Sequence, residues 1–319
     1  MIDATARTAI NVPASEVLSR KERMKRWQYR HRHAVEGWAI LTPILVYYSI
    51  FFLVPVFGSV ALSLTKWSGL SGSPEWVGLK NYERFITDPT YRTIITNTIV
   101  FAVSILLIQT ALGMVIALML NSKVRGRGAF RAAWYIPTLT SAAVMAQVAF
   151  VFISPADGVI NMVLRQLKLP PIIFYTQVDW MRVIIIIAYS VWRGVGGVMV
   201  LYLAALQGIH QELYEAAQVD GANGKQMFRY ITVPLLAPMT VFVLITGIIG
   251  TAQIFEAVMF LSKGGPANLT NVLMLQIYQD AFANQTLGLA SAGAIFLGLM
   301  LLVFSSFQMR ILSRGRVMN

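Results

Sequence analysis

Of 319 residues, 56% are apolar and 13% charged, and the mean hydropathy is +0.63; soluble domains carry about 25% charged residues, so a soluble globular fold is excluded. Cysteine is absent, which removes disulfide frameworks, thiolate metal sites and cysteine nucleophiles. The formal charge of +12 would suggest nucleic acid for a soluble protein, whereas in a membrane chain the placement of basic residues first reports topology.

The chain begins with a basic tail, residues 1–36, whose "SRKERMKRWQYRHRH" interleaves Trp27 and Tyr29 with positive charge. Such a segment suits anionic lipid headgroups better than nucleic acid. His31 and His33 lack the carboxylate or further histidine that a metal site needs. Six apolar stretches then meet the roughly twenty-residue requirement for crossing hydrocarbon, at about 37–64, 94–120, 129–153, 180–206, 234–262 and 286–310. The predicted class is therefore all-α and integral to the membrane, with one transmembrane domain over 37–319. Pro43 and Pro55 in the first stretch and Pro137 in the third predict bent helices, tolerable where neighbours satisfy the freed backbone groups. The first stretch lacks a cleavage site and is expected to remain as a span. Seventeen Lys and Arg fall on the side of both termini and seven on the other, which predicts cytoplasmic termini. Between the first two spans, Trp67, Trp76, Tyr82 and Tyr91 have the composition of interfacial anchors.

Intramembrane polar groups are costly and are functional candidates by default. The fourth span offers Arg193 beside Gly194, Gly196 and Gly197, and the fifth offers Thr246, Gly247, Gly250, Thr251, Gln253 and Glu256. The glycines can open a cavity for a polar solute or simply let helices pack closely; Arg193 and Glu256 can serve a solute or pair with neighbours. The connection between these spans, 207–233, contains "YEAAQVDGANGKQMFRYITVP". A phosphate loop G-x-x-x-x-G-K-[ST] is excluded there, since Val219 stands where the first glycine is needed and Gln226 where the hydroxyl is needed. The local pattern predicts a helix to Asp220, a bend at Gly221-Ala-Asn-Gly224 where left-handed angles are tolerated, and a second helix until Pro234 opens the next span. After the fifth span "KGGPANLT" reads as a turn. Ala290-Ser-Ala-Gly293-Ala294 in the sixth reads as packing surface.

Glu215-Ala-Ala217, Asp220-Gly221-Ala222, Phe228, Ile231, Pro234 and Pro238 together resemble the EAA loop of permease subunits in ATP-driven, binding-protein-dependent bacterial importers. The similarity runs from the first span onward and is nearest to carbohydrate-importer permeases, the first of two unlike permeases serving disaccharides, oligosaccharides or glycerol phosphates. It implies a type I ABC importer permease fold in the bacterial inner membrane. It also implies a heterodimer with a second permease, two copies of a separate ATPase carrying the ATP and magnesium, and a periplasmic or lipid-anchored solute-binding protein. No cofactor, metal or catalytic centre is then expected in this chain. Glu215, Ala216, Ala217, Asp220, Gly221, Phe228 and Pro234 would form the ATPase-coupling element. Arg193, Gly194, Gly197, Gly247, Gly250, Thr251, Gln253, Ile254 and Glu256 would line the substrate pathway. A self-contained secondary transporter would show internal repeats, which the sequence lacks. A membrane enzyme would need converging groups that His31, His33 and His210 do not supply.

Overall fold

The computed structural model describes Lys21 and residues 36–70, 72–122, 125–154, 158–172 and 179–314; the basic tail with Trp27, Tyr29, His31 and His33 lies outside them. The chain divides into two compact units, residues 1–58 and 59–319. The first is represented by most of α1 (Glu36–Ser63), on which Tyr47 pairs with Phe51 and Tyr48 with Phe52, ring centroids 4.7 Å apart in each pair. These are neighbours four residues along one helix face. The helix widens at Ser49–Leu53, where Val54 N–H reaches back five residues to the Ser49 carbonyl. Pro55 follows immediately: its ring would collide with a carbonyl four residues back and it donates no hydrogen, and the wide turn relieves both.

After the last turn of α1, the second unit forms a two-stranded antiparallel hairpin, β1 (Thr65–Lys66) and β2 (Glu75–Trp76). It continues through α2 (Lys80–Thr87), α3 (Pro89–Asn121), α4 (Arg127–Leu139), α5 (Ala142–Ile153), α6 (Val159–Gln166) and α7 (Asp179–Gln207). Then come α8 (Gln211–Val219), α9 (Gly224–Ala252), α10 (Glu256–Leu261), α11 (Leu273–Tyr278) and α12 (Leu287–Arg314). Among the described residues five helices are long and apolar enough to cross a membrane, or six crossings if α4 and α5 count together.

That third predicted span is the main departure from the sequence expectation. It forms two helices bent by 103°, and the break falls at the non-helical Thr140 and Ser141 rather than at Pro137. Helices of 13 and 12 residues cannot each cross the hydrocarbon, which needs about twenty. The expected fifth span is also shortened: it ends at Ala252, breaks over Gln253–Phe255 and resumes as α10. At its other end it extends back to Gly224, so Pro234 lies inside a continuous helix instead of opening one. The wide turn Phe228–Thr232 precedes Pro234, with Val233 bonding back to the Phe228 carbonyl, the same solution as before Pro55.

The bundle core is α3, α7, α9 and α12. Ala117, Leu120, Met199, Tyr202, Leu203, Leu206 and Leu236 pack together near the α8 end. At the opposite end Phe85, Tyr91, Leu289 and Ala292 join α2, α3 and α12. Tyr91, expected as an interfacial anchor, is buried there and donates to Asp280 Oδ2 at 2.9 Å. Asp280, itself buried, also accepts from Gln276 and Asn284 at 2.9 and 3.0 Å. Asn97 donates to the carbonyls of Asn268 and Asn271, and Leu273 N–H to Thr98 Oγ1, so the segment after α10 is held against α3. Gly293 meets Ile277 within 2.9 Å of where a Cβ would stand, consistent with a packing surface on α12.

Candidate functional site: an exposed elbow and an intramembrane cavity

The elbow is built from short-range hydrogen bonds. At the end of α8, Gly221 N–H bonds to the Gln218 carbonyl and Ala222 N–H to the Ala217 carbonyl, at 3.0 and 2.9 Å. This pair of bonds closes a helix around a left-handed residue. Gly221 is that residue, at φ +81°, with open space where a Cβ would lie, so glycine is required there by backbone angle and not by crowding. Asn223 then caps the next helix: its Oδ1 accepts from Gln226 N–H, and Gln226 Oε1 accepts from Asn223 N–H. The reciprocal pair is a capping box. Gln226, which disqualifies the phosphate loop, is thus half of the box, and Asn223 is extended instead of left-handed.

One longer contact braces the elbow: the hydroxyls of Tyr214 and Thr232 lie 2.9 Å apart. It ties α8 to the wide turn of α9. Glu215, Ala216, Asp220, Gly221 and Phe228 are exposed and Ala217 half-buried, while Val219 is 88% exposed. A thin helix with apolar and acidic groups uncovered thus stands at the turn. Gln211 donates to Glu215 Oε1 at 2.9 Å, one turn along the same face.

At the other end of α9 a cavity of about 270 Å³ opens between α3, α7, α9 and α10. Arg193, Gly194, Gly247, Gly250, Thr251, Gln253, Ile254 and Glu256 all line it. Gly197 does not: its nearest neighbour is Thr138 Cγ2, 3.6 Å from a notional Cβ, on α4. Gly194 leaves room for the Gln109 amide, which would collide with any side chain there and which donates to the Ser190 carbonyl at 2.8 Å. Gly196 lets α7 approach the Trp134 carbonyl of α4, and Thr138 donates to the Arg193 carbonyl. Gly250 faces open space.

Sequence reasoning missed Gln109, Tyr189 and Ser190, which also line the cavity. Their signal was available, because Tyr189 and Ser190 sit one turn before Arg193 and Gly194 on one helix face. Gln109 is an amide inside an apolar span. The hydroxyls of Tyr189, Ser190 and Thr251 donate to the carbonyls of Ala142, Ile186 and Gly247 at 3.0, 2.7 and 2.9 Å. Arg193 Nε is buried with no hydrogen-bond partner. Among the described residues no cluster of three His, Asp or Glu could hold a metal.

The "Binding-protein-dependent transport system inner membrane component" model matches residues 109–317. The chain is 36% identical over 253 residues to the "Lactose transport system permease protein LacF" of Rhizobium radiobacter, covering 78% of this chain and 84% of that one. It is 31% identical over 289 residues to the "Probable ABC transporter permease protein YurN" of Bacillus subtilis (strain 168), covering 90% and 99%. A chain of a bacterial alginate ABC transporter, solved in complex with an alginate pentasaccharide-bound periplasmic protein, superposes with a TM-score of 0.77 at 26% identity, covering 91% of this chain and 98% of its own. The elbow, the broken fifth helix and the cavity therefore stand in a chain that belongs to the family of inner-membrane permease components of binding-protein-dependent ABC importers.

Proposed function

We propose that this subunit carries a di- or oligosaccharide or related glycoside inward by alternating access, driven by ATP hydrolysed on separate subunits. The supporting observation is the convergence on one cavity of polar groups from α3, α7 and the α9 break, joined by one helix to an exposed elbow. Lactose permease in the name of a relative supports the carbohydrate class. The assembly is a heterodimer with a second permease, two ATPase copies facing the elbow from the cytoplasm and a solute-binding protein on the opposite side. Both termini lie in the cytoplasm and the basic tail lies on lipid.

The mechanism follows from stiffness. The left-handed cap, the capping box and the Tyr214–Thr232 contact couple α8 to α9, so a displacement of α8 by the ATPase dimer tilts α9 as a body. From Thr232 to Gly250 is 18 residues, or about 27 Å of helix, which carries the movement to the cavity wall. Glu215, Ala216, Ala217, Asp220, Gly221 and Phe228 would seat on the ATPase, and Pro234, behind its wide turn, marks where the lever enters the bundle. A specific observation, the unpartnered Arg193 Nε, supports a second reading in which the solute is a glycerol phosphate or other anion.

In proteoliposomes holding the assembled complex, Glu215→Lys is expected to insert normally and lose ATP-driven uptake of neutral disaccharides. Wild-type uptake by that variant would overturn the docking role.

A further inference from the structure

The hydrogen-bond inventory of the cavity discriminates between those two solute classes, given that the cavity is the solute pathway as proposed above. Tyr189, Ser190 and Thr251 have each committed their hydroxyl hydrogen to a helix carbonyl. A hydroxyl in that state presents only lone pairs, so three cavity oxygens are acceptors. Glu256 adds a carboxylate, which is acceptor-only when ionised. The donors left are Arg193, Gln253 and the remaining amide hydrogen of Gln109. The cavity wall contributed by this chain thus holds one positive and one negative side chain and is biased toward acceptors.

We infer that this cavity takes an uncharged, hydroxyl-rich solute, and that Glu256 is the residue that rejects anionic ones by cancelling the field of Arg193. A sugar hydroxyl both donates and accepts, so it can bridge the carboxylate, the committed hydroxyls and the guanidinium. A phosphate or carboxylate offers only acceptors. It would satisfy Arg193 but would set its oxygens against Glu256 and the three hydroxyl lone pairs, and inside a span such unmatched polar groups are costly. Arg193 alone would favour an anion; Arg193 with Glu256 in the same small cavity does not.

The cysteine-free sequence makes this measurable without transport. Gly250→Cys places a thiol in open space on the cavity wall, and in the assembled complex its modification is timed with a cationic and an anionic methanethiosulfonate. The expected anionic-to-cationic rate ratio, normalised to a free thiol, is near one. Adding Glu256→Gln should raise it about tenfold and Arg193→Gln lower it by a similar factor, the order of effect a nearby unit charge has in a partly shielded interior. The pair Arg193→Gln with Glu256→Gln should restore it, which separates charge from misfolding. An unchanged ratio in all variants, or a strong anionic preference before Glu256 is changed, overturns the inference.

In the same thiol assay, lactose, maltose, trehalose and sucrose are compared as protectants with glucuronate and sn-glycerol 3-phosphate. Protection by neutral members only supports the inference. Protection by an anionic member while Glu256 is intact refutes it and leaves the pathway intact. Protection by no member removes the pathway itself, and the inference with it.

Discussion

The elbow and the cavity sit at the two ends of α9 and are held by opposite kinds of contact. All but one of the hydrogen bonds described at the elbow join residues within five positions of each other, and most of its surface is exposed. The cavity and the cap beyond it depend on partners far apart in sequence: Gln109 with Ser190, Thr138 with Arg193, Tyr91 with Asp280, Thr98 with Leu273. A unit proposed to seat on a separate motor can be rigid by local geometry alone, with its other face left open. A polar pocket among lipid-facing helices needs distant helices to arrive in register before its groups are satisfied.

The strongest way to break the long-range half is Gly196→Leu. A side chain there meets the Trp134 backbone of α4, which cannot rotate aside, so α4 should lose its seat on α7; loss of assembled complex on size-exclusion chromatography checks it. Next comes Asp280→Ala, which strands the buried Tyr91 hydroxyl and removes the acceptor of the half-buried Gln276 and exposed Asn284 amides, which can turn to water. Orphaning the Tyr91 hydroxyl costs about 2 kcal/mol, to be seen as a lower melting temperature of the detergent-solubilised complex, with Asp280→Asn intermediate.

The local half should respond differently. Gly221→Ala forces a Cβ into a left-handed backbone at a cost of about 1 kcal/mol, and because α8 is exposed the bundle should melt almost as before. Co-purification of the ATPase subunit should nevertheless fall, which is the contrast to look for. Tyr214→Phe is the mildest: it removes one half-buried hydroxyl contact worth about 1 kcal/mol or less. Uptake per ATP hydrolysed should drop while binding of the ATPase persists, since the brace and not the docking face is altered.

Periodicity and composition reached far into this protein because the membrane imposes a length and a polarity on every span. Five of six predicted spans appear as helices of spanning length, and the elbow was predicted from helix formers up to Asp220 followed by Gly221-Ala-Asn-Gly224. The breaks were less legible. Pro137 suggested a kink, yet the 103° bend lies at Thr140 and Ser141, where no proline or glycine marks it. Gly194 and Gly197 looked equivalent as text, but one borders the cavity beside Gln109 and the other packs on Thr138. Three residues along a helix turn a side chain to a different neighbour, and which neighbour stands there is not a local property.

Sequence by itself determined that the chain is a bundle of membrane helices interrupted by a glycine elbow with acidic and small residues exposed, since hydrophobic length, turn chemistry and capping act between residues close in the chain. Tertiary structure alone decided that Gln109, Tyr189, Ser190 and Arg193 share one cavity with Thr251 and Glu256. It also decided that the Tyr189 hydroxyl gives its hydrogen to Ala142 on α5, whereas Ser190 and Thr251 donate one turn back within their own helices, because hydrogen bonds between helices depend on distances that only packing sets.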